Sequence, residues 1–243
     1  LPVAILLAWE LVLRSGAVDA YQLPAPAAVA NELFRQVSSG ELAHHLGVSI
    51  KRVASGFALG ASVATLLGAF SGYSKVWRET LDPTFQALRS LPAIAWVPLF
   101  VLWLGIGEAP KIALVALGAF FPIYLNLMTG MAGVDRKLAE VGQVNRLTGM
   151  RLVLRIHLPY SLPAYMVGLR AGLGLAWMFV VAAELMGASE GIGFLLLDGE
   201  QTGRPDRVIV AMVVFALIGK FSDFLLVLLS GRVLRWQDTV KDS

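Results

Sequence analysis

DRKLAEVGQVNRLTGMRLVLRIHLP, residues 135–159, is a charged island between two long apolar runs, 111–131 and 162–187. A bilayer's hydrocarbon core is about 30 Å thick, and a helix crosses it with about 20 mostly apolar residues. Both flanking runs meet that length. In lipid only helices and closed barrels satisfy the backbone, and runs this long exceed barrel strands of about 10 residues. The fold class is therefore all-α integral membrane, a helical bundle, with the island outside the lipid. The island itself reads as two short helices. Asp135 can N-cap the first, with Leu138, Val141 and Val144 on one face. Leu147 to Met150 make the turn, and Leu152, Val153 and Ile156 give the second an apolar face. Pro159 and Pro163 mark entry to the next span. A loop this long and patterned is a docking surface rather than a connector.

Composition agrees. The chain is 57% hydrophobic and only 15% charged, against about 25% charged in soluble domains. It has no cysteine, which removes disulfides and thiolate ligands from consideration. Six spans fit, at about 1–14, 51–72, 83–105, 111–131, 162–187 and 207–230, in one transmembrane domain covering 1–243. The first is short, and the chain opens at Leu1 rather than Met, so further residues are expected before it. No cleavable signal peptide is evident. Between the first two spans, Pro24 and Pro26 precede Val29, Leu33, Phe34 and Val37. That spacing suits either an interfacial helix or a helix packed on the bundle.

Orientation follows from basic residues. Lys75, Arg78, Arg136, Lys137, Arg146, Arg151, Arg155, Arg232, Arg235 and Lys241 fall on one side. Arg14, Arg35, Lys51, Arg52, Lys111, Arg204 and Arg207 fall on the other. The first set is larger and sits in short loops and a tail, so the island and both termini are expected in the cytoplasm. Lys51 and Arg52, at the outer end of the second span, are expected to snorkel toward headgroups.

The second span repeats small residues every fourth position, at Gly56, Gly60, Ala64, Gly68 and Gly72. The fifth does so at Gly168, Gly172 and Ala176. Such ridges let another helix approach closely, within the bundle first and against a second subunit as the alternative. Pro92 and Pro98 interrupt the third span, and broken backbone at membrane depth is tolerated where it is buried or lines a cavity. Ionisable groups in spans are costly and are candidates for function. Arg89, Trp103, Asn126 and Glu184 are the candidates for a substrate pathway, with hydrogen bonding to a neighbouring helix as the structural alternative for Glu184. Lys220 and Asp223 are three apart and can pair.

Catalytic chemistry is absent from the pattern. Gly219-Lys220 is followed by Phe221, so no phosphate-binding G-x-x-x-x-G-K-[ST] loop exists. The three histidines form no H-E-x-x-H, and no metal set or catalytic residue is assigned. Nothing points to nucleic acid.

The island resembles the E-A-A loop of ABC importer permeases. Glu140-Val141-Gly142 and Ile156-His157-Leu158-Pro159 keep that motif's spacing. Arg146 stands where the motif has glycine. A glycine ending a helix usually takes a left-handed conformation, which costs other residues about 1–2 kcal/mol. Either the turn shifts toward Gly149 or Arg146 carries that strain. Further segments resemble the nitrate, taurine and aliphatic-sulfonate branch: Leu23 to Pro26, Leu81-Asp82-Pro83, Trp103 to Glu108, and Ala183-Glu184. Four more are similar to aliphatic-sulfonate permeases: Ser39 to Leu42 with His45-Leu46, Phe121 to Asn126, Leu217 to Lys220 with Asp223, and Leu234 to Trp236.

The resemblance implies a six-span, type I permease of the bacterial inner membrane, carrying a small organic anion by alternating access. Aliphatic sulfonate is the first expectation. Taurine, nitrate or another small solute is the alternative, with an ion-coupled secondary transporter beyond these. It implies two permease copies, two ATPase subunits that hold the ATP and Mg, and a periplasmic substrate-binding protein. This chain would bind no cofactor itself. Residues 134–160 would form the coupling loop, with Glu140, Val141, Gly142, Gln143, Arg146, Leu147, Thr148, Gly149 and Met150 meeting the ATPase.

Overall fold

The computed structural model describes residues 2–16, 19 and 21–234, and every regular element among them is helical. In chain order these are α1 (Pro2–Arg14), α2 (Pro26–Ser38), α3 (Glu41–Tyr73), α4 (Lys75–Arg89), α5 (Ala93–Leu104) and α6 (Glu108–Ala132). Next come α7 (Arg136–Val144), α8 (Met150–Leu152), a π-helical segment (Val153–His157), α9 (Leu158–Leu185), α10 (Ile192–Gln201) and α11 (Pro205–Val233). Arg235, Trp236 and Lys241, used above, lie outside the described residues.

Four helices are long and apolar enough to cross a membrane: α3, α6, the continuous run Met150–Leu185, and α11. A fifth crossing arises if α4 and α5 count as one. At 13 residues α1 is about 20 Å long, short of the hydrocarbon core. The structure thus holds four or five of the six expected spans. The third departs most from expectation. Residues 83–105 do not form one helix: α4 and α5 meet at 107°. Pro92 explains the break, because its ring disfavours helical geometry at Leu91. It then serves as N-cap to α5.

Contacts divide the chain into two compact units, 1–52 with 180–220 and 53–179 with 221–243. In the second, α6 is the most enclosed span, with half of its most apolar stretch buried. Two glycine ridges close on it. A Cβ at Gly56 would stand 2.6 Å from Val115, and one at Gly72 2.6 Å from Met131. At Gly60 it would strike the Ala116 carbonyl oxygen. From α9, Gly168 faces Asn126 and Pro122, and Gly172 faces Ile123 and Ala119. Both ridges therefore serve packing within the bundle. α9 also reaches α11: Arg170 donates to Asp223 at 2.8 and 3.1 Å, and the Trp177 indole to Ser222 at 2.9 Å. Asp223, expected to pair along its own helix with Lys220, thus has a partner on α9.

The first unit closes over Leu42, Ile192, Leu195 and Ala211, with Leu33, Leu46 and Phe215 against them. Its α2 turns a polar face inward and leaves apolar side chains outside, as the interfacial alternative expects. Glu32 and Gln36 are buried, whereas Phe34 and Val37 are exposed. The polar face turns inward because cations meet it there. Glu32 accepts from Arg35 at 2.8 and 2.6 Å, from Gln36 at 2.8 Å and from Arg204 at 2.6 Å. Arg207 adds ion pairs with Glu41 and Asp198. The Arg35 guanidinium, with help from Gln36 and Arg204 against the cost of burial, holds the Glu32 carboxyl at about 2, from an ordinary 4.5.

Two outcomes follow. Gly60→Ala presses a methyl onto backbone that cannot swing away, so it should destabilise by about 1–3 kcal/mol. Gly47→Ala, with open space at its Cβ, should not. Thermal unfolding in detergent distinguishes them. For Glu32, the depressed carboxyl contributes about 3 kcal/mol above pH 4.5. That contribution is lost as pH falls toward 2. The stability gap between the native chain and Glu32→Gln should therefore narrow across that window and be constant above it.

Candidate functional site

Residues 135–157 fold as a tight hairpin. Asp135 caps α7 as expected, its Oδ1 accepting the Lys137 amide at 2.9 Å. Glu140 faces outward and accepts from Arg136 at 2.9 Å, one turn away. Leu138, Val141 and Val144 are all exposed, Val144 at 83%. An apolar stripe left bare on a helix of nine residues is the kind of surface that marks an interaction site. Gly142 lies on the opposite, buried side. A Cβ there would strike the ends of Leu152 and Ile156. Glycine at this position thus lets the returning chain lie directly on α7. Gln143 continues α7.

The bend itself answers the sequence's question about Arg146. It is the only non-glycine residue with positive φ among those described, at 59°. The Leu147 amide bonds the Gly142 carbonyl at 2.9 Å, the six-to-one closure that ends a helix when the residue before it is left-handed. The turn therefore does not shift away from Arg146. Gly149 is left-handed as well, at φ 54°. Leu147 is half-buried, while Thr148 and Met150 are exposed.

The returning arm differs from expectation. It is not a second separate helix but the start of the fifth span, joined through the π segment into the continuous helix Met150–Leu185. Pro159 supplies the reason. It cannot donate to the residue 155 carbonyl, and its ring crowds that group. A wider turn just before it makes room. His157 anchors the segment: its Nδ1 lies 3.2 Å from the Met131 carbonyl, and its ring meets Tyr73 edge-on at 5.5 Å.

The four pathway candidates fall in both units: Arg89, Trp103 and Asn126 in the second and Glu184 in the first. Arg89 ends α4 and lines a cavity of about 250 Å³ in the second unit. Trp103 is 63% exposed near the end of α5. Asn126 donates to the Pro122 carbonyl of its own helix at 2.8 Å. Glu184 is wholly buried in the first unit, where it accepts from Ser49 at 2.7 Å, Arg52 at 2.8 Å and the Gly193 amide at 2.8 Å. Arg52 therefore does not snorkel; it is 4% exposed and bonded to Glu184 and to the Glu190 carbonyl. Ser49 accepts the Ile192 amide at 2.9 Å, and His45 Nδ1 accepts the Gly191 amide at 3.0 Å. Three side chains thus satisfy the amides that open α10, which a helix start leaves without partners. A buried pair of this kind holds its surroundings in one arrangement, and removing one member strands the other at about 3–5 kcal/mol. The signal was readable as a stripe, since His45, Ser49 and Arg52 recur at helical spacing.

A bundle of apolar helices with a charged hairpin between two of its spans has the form of a membrane transport subunit. The chain belongs to the family described as binding-protein-dependent transport system inner membrane component, which matches residues 64–235. Within it, the chain is 40% identical over 239 residues to a Bacillus subtilis (strain 168) protein whose name describes an aliphatic sulfonates transport permease. That alignment covers 98% of this chain and 87% of the relative. A protein of the same description from Escherichia coli (strain K12) is 40% identical, over 97% and 90%. A nitrate import permease from Synechocystis is 31% identical, over 96% and 87%. The chain is an ABC transporter permease homologous to these.

Arg146→Gly should release the left-handed strain and stabilise the hairpin by about 1 kcal/mol. Slower hydrogen exchange of the amides at 144–152 is the expected sign; unchanged or faster exchange would contradict it.

Proposed function

We propose that this chain is the membrane-spanning subunit of an ATP-driven importer for aliphatic sulfonates, working as a homodimer. Two ATPase subunits supply the energy, and a periplasmic binding protein supplies cargo. The observation that carries the reading is the hairpin: an exposed apolar stripe and charged flank, locked by its own backbone closure onto a helix of 36 residues. A soluble ATPase that seats Glu140 to Met150 moves this rigid element when ATP draws its two copies together. The bundle then exchanges inward-open and outward-open forms, a two-state element biased by a ligand bound elsewhere. The basic residues of the short loops favour a cytoplasmic side for the hairpin and the ends of the chain. In this reading ATP and Mg belong to the partner ATPase, in keeping with a sequence that carries no phosphate-binding loop.

Sulfonate is favoured over nitrate as cargo because near full-length identity is 40% to the sulfonate permeases and 31% to the nitrate permease. Neither Asn126 nor Glu184 is given a role on the pathway, since the one bonds its own helix and the other is sealed with Arg52.

The test is reconstitution of the permease with its ATPase and binding protein in proteoliposomes. ATP-dependent uptake of an alkanesulfonate is expected, and the isolated chain should hydrolyse no ATP. Glu140→Arg and Gly149→Pro should each abolish uptake while leaving the protein in the membrane. Uptake that survives both changes would remove the hairpin from coupling, and gradient-driven uptake without ATP would replace the importer by a secondary transporter.

A further inference from the structure

The cavity beside Arg89 has a chemistry of its own. Its walls come from α5, α6 and α9: Trp96, Leu117, Phe121, Leu125 and Phe179 are among them. Arg89 is the only ionisable side chain that lines it, and the Trp96 indole N–H is the only other polar side-chain group. Both groups are donors. No side chain on these walls can accept a hydrogen bond from a ligand. Arg89 is exposed at the mouth of the cavity; cations elsewhere in the chain are matched differently, buried Arg52 by Glu184 and exposed Arg170 by Asp223. Arg89 has no ion-pair partner among the described residues. A pocket with donors at one place and hydrocarbon or aromatic surface elsewhere selects an anion with an apolar body.

Size narrows the choice. A cavity of about 150 Å³ lined by aliphatic and aromatic side chains holds benzene, with six carbons. The cavity here, about 250 Å³, has room for about ten non-hydrogen atoms on that scale. A sulfonate head uses four of them. Nitrate would leave most of the space empty, and taurine would bring a second charge, its ammonium, with no acceptor side chain to meet it.

The geometry points to a subsite in which Arg89 holds the head of an alkanesulfonate of about four to six carbons, while Trp96, Phe121 and their apolar neighbours enclose the chain. This rests on the sulfonate reading above and adds to it a place where the permease itself discriminates. A phospholipid phosphate offers Arg89 similar head chemistry, so the experiment separates the two sources.

The assembled permease–ATPase complex, in nanodiscs of zwitterionic lipid and without binding protein, is titrated with radiolabelled hexanesulfonate by equilibrium dialysis. Saturable binding is expected, weakened at least tenfold by Arg89→Gln and partly kept by Arg89→Lys. Affinity should rise about threefold to fourfold per methylene from ethane- to hexanesulfonate and fall for longer chains. Leu117→Phe should erase that gain while sparing ethanesulfonate. No saturable binding, no dependence on Arg89, or no dependence on chain length would each overturn the subsite. So would loss of binding when anionic phosphatidylglycerol replaces the neutral lipid, which assigns Arg89 to a lipid phosphate. ATP-driven uptake is measured on the same preparation. Uptake that persists without any Arg89 effect on binding overturns the subsite alone. Failure to take up any sulfonate overturns the cargo reading, and the direct titration still decides the subsite.

Discussion

Backbone-to-backbone approach along α6 is the constraint from which the second unit follows. Between apolar helices in lipid there is no hydrophobic drive to associate, so contact area and close packing must supply it. Gly56, Gly60 and Gly72 on α3, with Gly168 and Gly172 on α9, remove Cβ atoms that would hold α6 away. α6 answers with its own small residues: Gly118 receives Phe179, and Gly130 receives Ala164 and Ser161. The result is a mast gripped from two sides, against which α4 can lean its Phe85 onto Phe120 and Tyr124 at 5.1 and 4.8 Å. α11 needs no such grip. Its most apolar stretch has no buried residue, as suits a helix whose apolar side chains face lipid.

The first unit is held by opposite means. Its interior contains ion pairs where the second contains glycine contacts. Glu32, Glu41 and Glu184 each receive one or more guanidinium groups, and the amides that open α10 are closed by His45, Ser49 and Glu184. Charge networks are directional, and glycine contacts are not. One unit is therefore specified by which partners meet, and the other by how closely backbones can lie.

This difference sets what could be read from the chain. The glycine ridges repeat at helical spacing along one element, so the pattern itself shows that they pack closely. The hairpin was legible for the same reason: its cap, its apolar stripe and its anomalous Arg146 lie within a dozen residues. Arg52 and Glu184 lie 132 positions apart, and no local rule pairs them. Arg52 looked like a snorkelling cation because its partner was out of view. The inward polar face of α2 has the same cause, since Arg204 is far along the chain from Glu32. The break at Pro92 was half legible: the prolines showed irregularity, whereas the angle between α4 and α5 depends on what each packs against. The fusion of the hairpin's returning arm to α9 was missed because Pro159 reads as a stop, and only a widened turn lets a helix run through it.

Arg146 leaves one more mark on the hairpin. A glycine at that bend would present bare peptide to whatever closes over it. Here the apex carries a guanidinium with five donors on a long stem, held outward by a backbone angle that the side chain itself disfavours. A surface that fits this apex must offer carboxylates or carbonyls at one spot and clearance for the stem. Under the importer reading proposed above, permease and ATPase would form a keyed pair, and an ATPase shaped for a smooth apex would seat on this one poorly.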